Sequence, residues 1–151
     1  MPSFTGNINV ISRCARTYRT ARLEGSGINS SHYFYVLVIC SHPGLSQDQI
    51  AKRLYLNKSS VTRAIATLEE NGFVECRDNP EDKRVIQIFP TEKAIKILPD
   101  VRAAARAWND FLLDGLEEGE KAAFLATLEK VTARAKSYID LELTPKELQK
   151  P

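Results

Sequence analysis

The stretch from Leu45 to Arg84, LSQDQIAKRLYLNKSSVTRAIATLEENGFVECRDNPEDKR, decides how the rest of the chain is read. Ser46-Gln47-Asp48-Gln49 is a capping-box sequence, in which the serine hydroxyl takes up free amide donors and the glutamine reaches back to the cap. It predicts a short helix whose Ile50 and Leu54 turn inward. Asn57 is a favoured N-cap, so a second helix is expected from there to about Glu70. At about 100° per residue, Val61, Ile65 and Leu68 fall on one arc of that helix. Ser59, Thr62, Arg63 and Ala66 are then left facing water. Asn71-Gly72 suits a left-handed helix stop. Next, Phe73–Cys76 and Val85–Phe89 alternate as two strands do, joined by the polar, turn-rich segment Arg77–Arg84. Helix, turn, helix and a basic-tipped hairpin together read as a winged helix-turn-helix.

The residues left facing water set the expected partner, double-stranded DNA. Small hydroxyl side chains let a helix sink into a major groove about 12 Å wide, and Arg63 can pair bidentately with a guanine edge. Lys58 and the amides at the helix N-terminus suit phosphate. Lys83 and Arg84 at the hairpin tip reach for the adjacent minor groove, where narrow A·T tracts attract arginine. The candidate DNA-binding residues are Ser46, Gln47, Asn57, Lys58, Ser59, Ser60, Thr62, Arg63, Thr67, Arg77, Lys83 and Arg84. The competing reading is a winged-helix protein-interaction module that never touches DNA. Its support is charge: Ser41–Pro90 carries seven Lys and Arg against seven Asp and Glu, and the whole chain is only +2. A basic footprint is the rule for such domains. Position answers the sum, because Lys58, Arg63, Lys83 and Arg84 lie on the contact surface, while Glu69, Glu70 and Glu75 lie at its far end and beyond.

Leu45–Leu54, Ser59–Arg63, Leu68–Val74, the wing triplet Asp82-Lys83-Arg84 and finally Thr91 resemble the MarR family of transcriptional regulators. The resemblance covers most of the chain and is strongest between Leu45 and Thr91. It implies a homodimer on a pseudo-palindromic operator, with each wing arginine in a minor groove, often released by a small molecule or an oxidant. Three residues depart from the pattern. Cys76 stands where the family usually has Arg, with Arg77 as a substitute; Pro90 replaces an apolar residue; Ala94 sits where Gly is common.

The flanking segments read as helices. Ile8 to about Glu24 places Ile8, Ile11, Ala15 and Tyr18 near one face, with Arg13, Arg16, Arg19 and Arg22 spiralling across a flank. That stripe is either a solvated face or the seat of an anionic effector held by Arg16. Tyr33–Ile39 is rich in β-formers and by propensity reads as a buried strand. The resemblance implies instead a buried central helix, capped by Asn29 or Ser30, and burial overrides propensity. Arg16, Tyr18, His32 and Tyr35 are the candidate pocket for a small aromatic or anionic effector, with core packing as the competing role. Thr91 is expected to cap a long helix to about Leu113, carrying the stripe Leu98, Val101, Ala105, Trp108 and Leu112. Pro99 inside it predicts a kink near Ile95. A further helix from Glu118 to about Ile139 repeats the spacing with Phe124, Leu128, Val131, Ala135 and Tyr138, and Thr144–Glu147 can cap a last short one. These stripes exceed what one winged domain needs to cover, which points to a two-fold partner.

The expected class is therefore mainly α with a small β-wing. Residues 30–90 form the winged helix-turn-helix DNA-binding domain, and 1–29 with 91–151 form a helical dimerisation region. With 151 residues, one core and no second domain are expected. His32 and His42 sit in no nucleophile or zinc motif and there is no glycine-rich phosphate loop, so no catalytic residues, cofactor or metal are expected. Three scattered cysteines make no disulfide framework. Cys40 reads as core. Cys14 reads as buried and inert, against the alternative of a thiol-based redox sensor. Met1–Asn9 lacks the apolar core of a signal peptide, and Tyr33–Cys40 is too short to span a bilayer. A cytoplasmic binding protein rather than an enzyme, with no membrane partner, is the expectation.

Overall fold

The computed structural model describes residues 3–142, and among them the chain forms six helices and one antiparallel hairpin. In chain order they are α1 (Phe4–Arg22), α2 (Tyr33–Ser41), α3 (Gln47–Leu54), α4 (Lys58–Glu70), β1 (Val74–Asp78), β2 (Ile86–Pro90), α5 (Glu92–Leu113) and α6 (Glu118–Glu142). The mainly helical class with a two-stranded wing is as read from the sequence.

Caps set most of the boundaries. Ser46 accepts the Gln49 amide at 3.2 Å while the Gln49 side chain accepts the Ser46 amide at 2.8 Å, which is the reciprocal box that opens α3. Asn57 Oδ1 accepts the Ser60 amide at 2.8 Å and opens α4. Between them Tyr55 takes a left-handed φ of 54°, the one such non-glycine among the described residues. Gly72, at φ 73°, turns the chain out of α4. Thr91 opens α5 through the Ala94 amide, and α5 stays helical through Pro99 to Leu113.

Two helix starts differ from the sequence reading. Helix α1 begins at Phe4 rather than Ile8, because the Ser3 hydroxyl accepts the Gly6 amide at 3.0 Å and carries the polar Thr5-Gly6-Asn7 turn into the helix. Helix α2 is the buried helix that burial favours, with Tyr33, Tyr35, Val36 and Ile39 all buried. Neither Asn29 nor Ser30 caps it. Asn29 Oδ1 is taken by the Ser31 amide at 2.9 Å, and the Ser30 hydroxyl accepts from Thr20 at 2.9 Å. His32 is left at the cap position without a side-chain bond.

Both strands lie later than expected. The Phe73 amide still donates to Leu68 O at 2.8 Å, which makes that residue part of the helix exit, so β1 starts at Val74. The Asn79 amide donates to Val85 O at 2.9 Å and closes the loop, so β2 starts at Ile86. Cys76 pairs with Ile88, and Leu45 adds a single bridge to Ile88 on the other side.

The core lies where α2, α3, α4, the hairpin and the first half of α5 meet, with Ile39, Ile50, Val61, Phe73, Ile88 and Val101 each fully buried. Beyond that core the helical stripes are only partly covered among the described residues. On α5, Val101 is buried and Trp108 half-buried, but Leu112 is exposed. On α6, Phe124 and Tyr138 are exposed, and no described side chain of that helix is buried. The helix expected at Thr144–Glu147 lies outside the described residues. No described helix is long and apolar enough to cross a membrane.

Candidate nucleic-acid interface

Helix α4 is two-faced. Val61, Ala64, Ile65 and Leu68 are buried, while Lys58, Ser59, Thr62, Arg63 and Ala66 on the other side are exposed. The apolar period of the sequence therefore aims this polar face at solvent. Two contacts fasten it to the start of α3. Thr62 Oγ1 donates to Gln47 Oε1 at 2.7 Å, and Lys58 Nζ pairs with Asp48 Oδ1 at 2.9 Å. Among the described residues the Arg63 guanidinium makes only a long contact, 3.5 Å to Ser60 Oγ. Its reach into a groove is not restrained by a carboxylate.

Some candidates support the face rather than form it. Ser46 and Asn57 use their side-chain oxygens as caps, and Asn57 also accepts from Ser59 Oγ at 2.9 Å. Ser60 is half-buried beside that cap. Thr67, also half-buried, donates back to Arg63 O at 3.1 Å.

The wing tip is held by one carboxylate. Asp82 accepts from Arg84 Nε and Nη2, each at 3.0 Å, and from the Arg84 amide at 3.1 Å. The fork fixes the guanidinium plane while leaving the Arg84 side chain 90% exposed. The Arg84 side chain holds the Asp82 carboxyl below the usual carboxylate range, and Asp82 raises the guanidinium in turn. Lys83 is exposed beside it. Arg77, one residue before the end of β1, pairs with Glu75 and lies 4.6 Å over the Phe89 ring. Cys76 donates its amide to Glu69 Oε1 at 3.1 Å. Desolvation, and then Glu69, push its thiol up to about 11, so it stays protonated at neutral pH.

Sequence reading missed the acidic partners Asp48, Glu75 and Asp82. Glu75 and Asp82, each two residues from its arginine, left a local signal, and Asp48 did not.

The four candidate effector residues are split among separate contacts. Tyr18 stacks on Trp108 of α5 with ring centroids 5.0 Å apart. His32 meets Tyr35 edge-on at 6.1 Å. Burial lowers the His32 pKa and raises that of Tyr35. Arg16 is exposed. The α1 arginine lodged against α2 is Arg19, whose guanidinium lies 5.2 Å from both the Tyr33 and Phe34 rings. Cys14 is exposed, against the expectation of burial, because Ala15 is the one buried residue of α1. Cys40 is half-buried and packs against the core.

Residues 28–86 match the model of the MarR family. The chain is 27% identical over 124 residues to the uncharacterized HTH-type transcriptional regulator YybA of Bacillus subtilis, covering 82% of this chain and 83% of that protein. It is 26% identical over 119 residues to the HTH-type transcriptional regulator BilQ of Clostridium symbiosum, covering 79% and 83%. In three dimensions it is similar to a MarR family transcriptional regulator from Listeria monocytogenes complexed with 26mer DNA. The TM-score is 0.85 at 24% identity, over 95% of this chain and 98% of that one.

Proposed function

We infer that this chain, which belongs to the MarR family through its winged helix-turn-helix, is a sequence-specific DNA-binding transcriptional regulator. It acts as a homodimer on a pseudo-palindromic operator, as a repressor. The observation that carries the reading is the sidedness of α4: its apolar face is fully used by the core, yet Lys58, Ser59, Thr62 and Arg63 are left together in solvent. The structural likeness to a regulator complexed with DNA supports it.

Each α4 enters a major groove, where Arg63 reads a base edge and Lys58 meets phosphate. Arg84, already oriented by Asp82, enters the neighbouring minor groove, and the ordering cost of a long side chain is largely met before binding. Residues 30–90 do the reading. Residues 1–29 and 91–151 bring two copies together, which sets the half-sites roughly one helical turn apart. The exposed apolar residues of α1, α5 and α6 support that division. The protein works in the cytoplasm as a binding protein, not an enzyme. A small aromatic or anionic effector acting near α1 and α2 relieves repression, and thermal shift against phenolic acids tests that part.

A gel shift on the DNA upstream of the protein's own gene, repeated across a salt series, tests the function. Counterion release makes the affinity fall steeply with salt for a phosphate-contacting protein. Absence of a shift at low salt would leave the protein-interaction module as the better reading.

A further inference from the structure

The even charge of the winged domain has a structural pattern. Of the five candidate contact cations, Lys58, Arg77 and Arg84 are each paired with a carboxylate, while Arg63 and Lys83 pair with none among the described residues. Asp82 sits next in the chain but one to its arginine and shapes its fork. Asp48 is different. It comes from another helix, α3, and reaches across to Lys58 at the first position of α4, on the polar face itself. The neighbouring Gln47–Thr62 bond holds the two helix starts in register there.

On the DNA-binding reading proposed above, we propose that Asp48 is a specificity-determining residue, a tethered counter-ion that competes with DNA phosphate for Lys58. Non-specific affinity comes almost entirely from phosphate neutralisation. A lysine that must first leave a carboxylate gains little from a loosely apposed backbone. It gains more when α4 is seated in a matched groove and the phosphate geometry is good. Asp48 also repels any phosphate that approaches Lys58, so both effects lower binding to unmatched duplex. A carboxylate in the first turn of α3 favours that helix through its dipole as well, but the dipole does not require a cation 2.9 Å away on another helix. Both Asp48 and Lys58 remain more than half exposed, so the pair is weak enough to be exchanged.

The test is binding of the full chain to a random-sequence duplex across a salt series, for the wild type, Asp48→Asn, Asp48→Glu and the Lys58→Ala versions of the first two. Asp48→Asn is expected to bind roughly twofold to fivefold more tightly at low salt. Its log–log salt slope should steepen by about 0.9 for each Lys58 released. Asp48→Glu should keep the wild-type slope, and in the Lys58→Ala background the gain from Asp48→Asn should shrink to less than half. Thermal melts report any loss of α3 stability separately. If Asp48→Asn binds with wild-type affinity and slope, Asp48 merely stabilises α3 and the proposal is wrong while DNA binding stands. If no version binds at low salt, the DNA reading fails and takes the proposal with it.

Discussion

The winged unit and the helical arms are built from similar apolar residues, yet they use them differently. Among the described residues, eight of the nine largest fully buried side chains lie from Val36 to Ile88, and the ninth, Val101, is in the first half of α5. Of the sixteen large hydrophobic residues left exposed among the described residues, twelve lie before residue 30 or after residue 90, from Phe4 and Ile11 on α1 to Phe124 and Tyr138 on α6. One region closes a core within a single chain. The other leaves part of its apolar stripes exposed among the described residues, and the proposed homodimer is what would cover them. The winged unit is therefore complete within one chain, whereas on the proposed reading its spacing on DNA is set by the pair.

The largest effect should come from the closed region. Phe73 is fully buried where α4 turns into the wing. Phe73→Ala should cost about 3–5 kcal/mol in equilibrium denaturation. A loss below about 1 kcal/mol would mean that this core is not the stable unit described. The open region should respond in the opposite way. Replacing Phe124 and Leu128 together by Glu should leave the helical circular dichroism signal of the winged unit in place and abolish the dimer in sedimentation. Operator affinity should then fall by about a hundredfold or more as the second half-site is lost. A dimer that survives the change would remove α6 from the interface.

Within the reading head, Arg84→Ala should weaken operator binding about tenfold at fixed salt without altering the dimer. The Asp82 carboxyl is depressed, so its grip on Arg84 is present above the ordinary carboxylate range and is lost only as pH falls through that lowered value. The Arg84→Ala deficit should therefore be the same at about pH 6 and about pH 8. A deficit that varies across that range would show that another titrating group orients the arginine. The smallest effect concerns a contact between the two regions. Tyr55 donates its hydroxyl to Asp140 at 3.1 Å, tying the α3–α4 turn to α6. The contact is exposed, so Tyr55→Phe should leave the thermal melting midpoint essentially unchanged, and a clear drop would show that this contact holds α6 in place.

What was legible in the sequence follows the range of the interactions. The caps at Ser46, Asn57 and Thr91 bond within three residues, so the starts of α3, α4 and α5 could be read directly. The buried and exposed faces of α4 followed from its period. Helix α2 was not legible from propensity, since Tyr33–Ile39 favours a strand and only the surrounding core makes it a helix. The start of α1 depended on a Ser3 cap ahead of an unpromising polar turn. The ion pair of Lys58 with Asp48 joins residues on two helices, and only the angle of the turn brings them together. Local charge counting saw a neutral domain where the fold has placed carboxylates against particular cations.

Hydroxyl-radical footprinting of the full chain on the DNA upstream of its own gene tests the central claim most directly. Two chains carrying α4 and the wing on a common side should protect two patches about one helical turn apart, each extending into the flanking minor groove. A single protected patch, or none at a salt concentration where the complex is formed, would contradict the account.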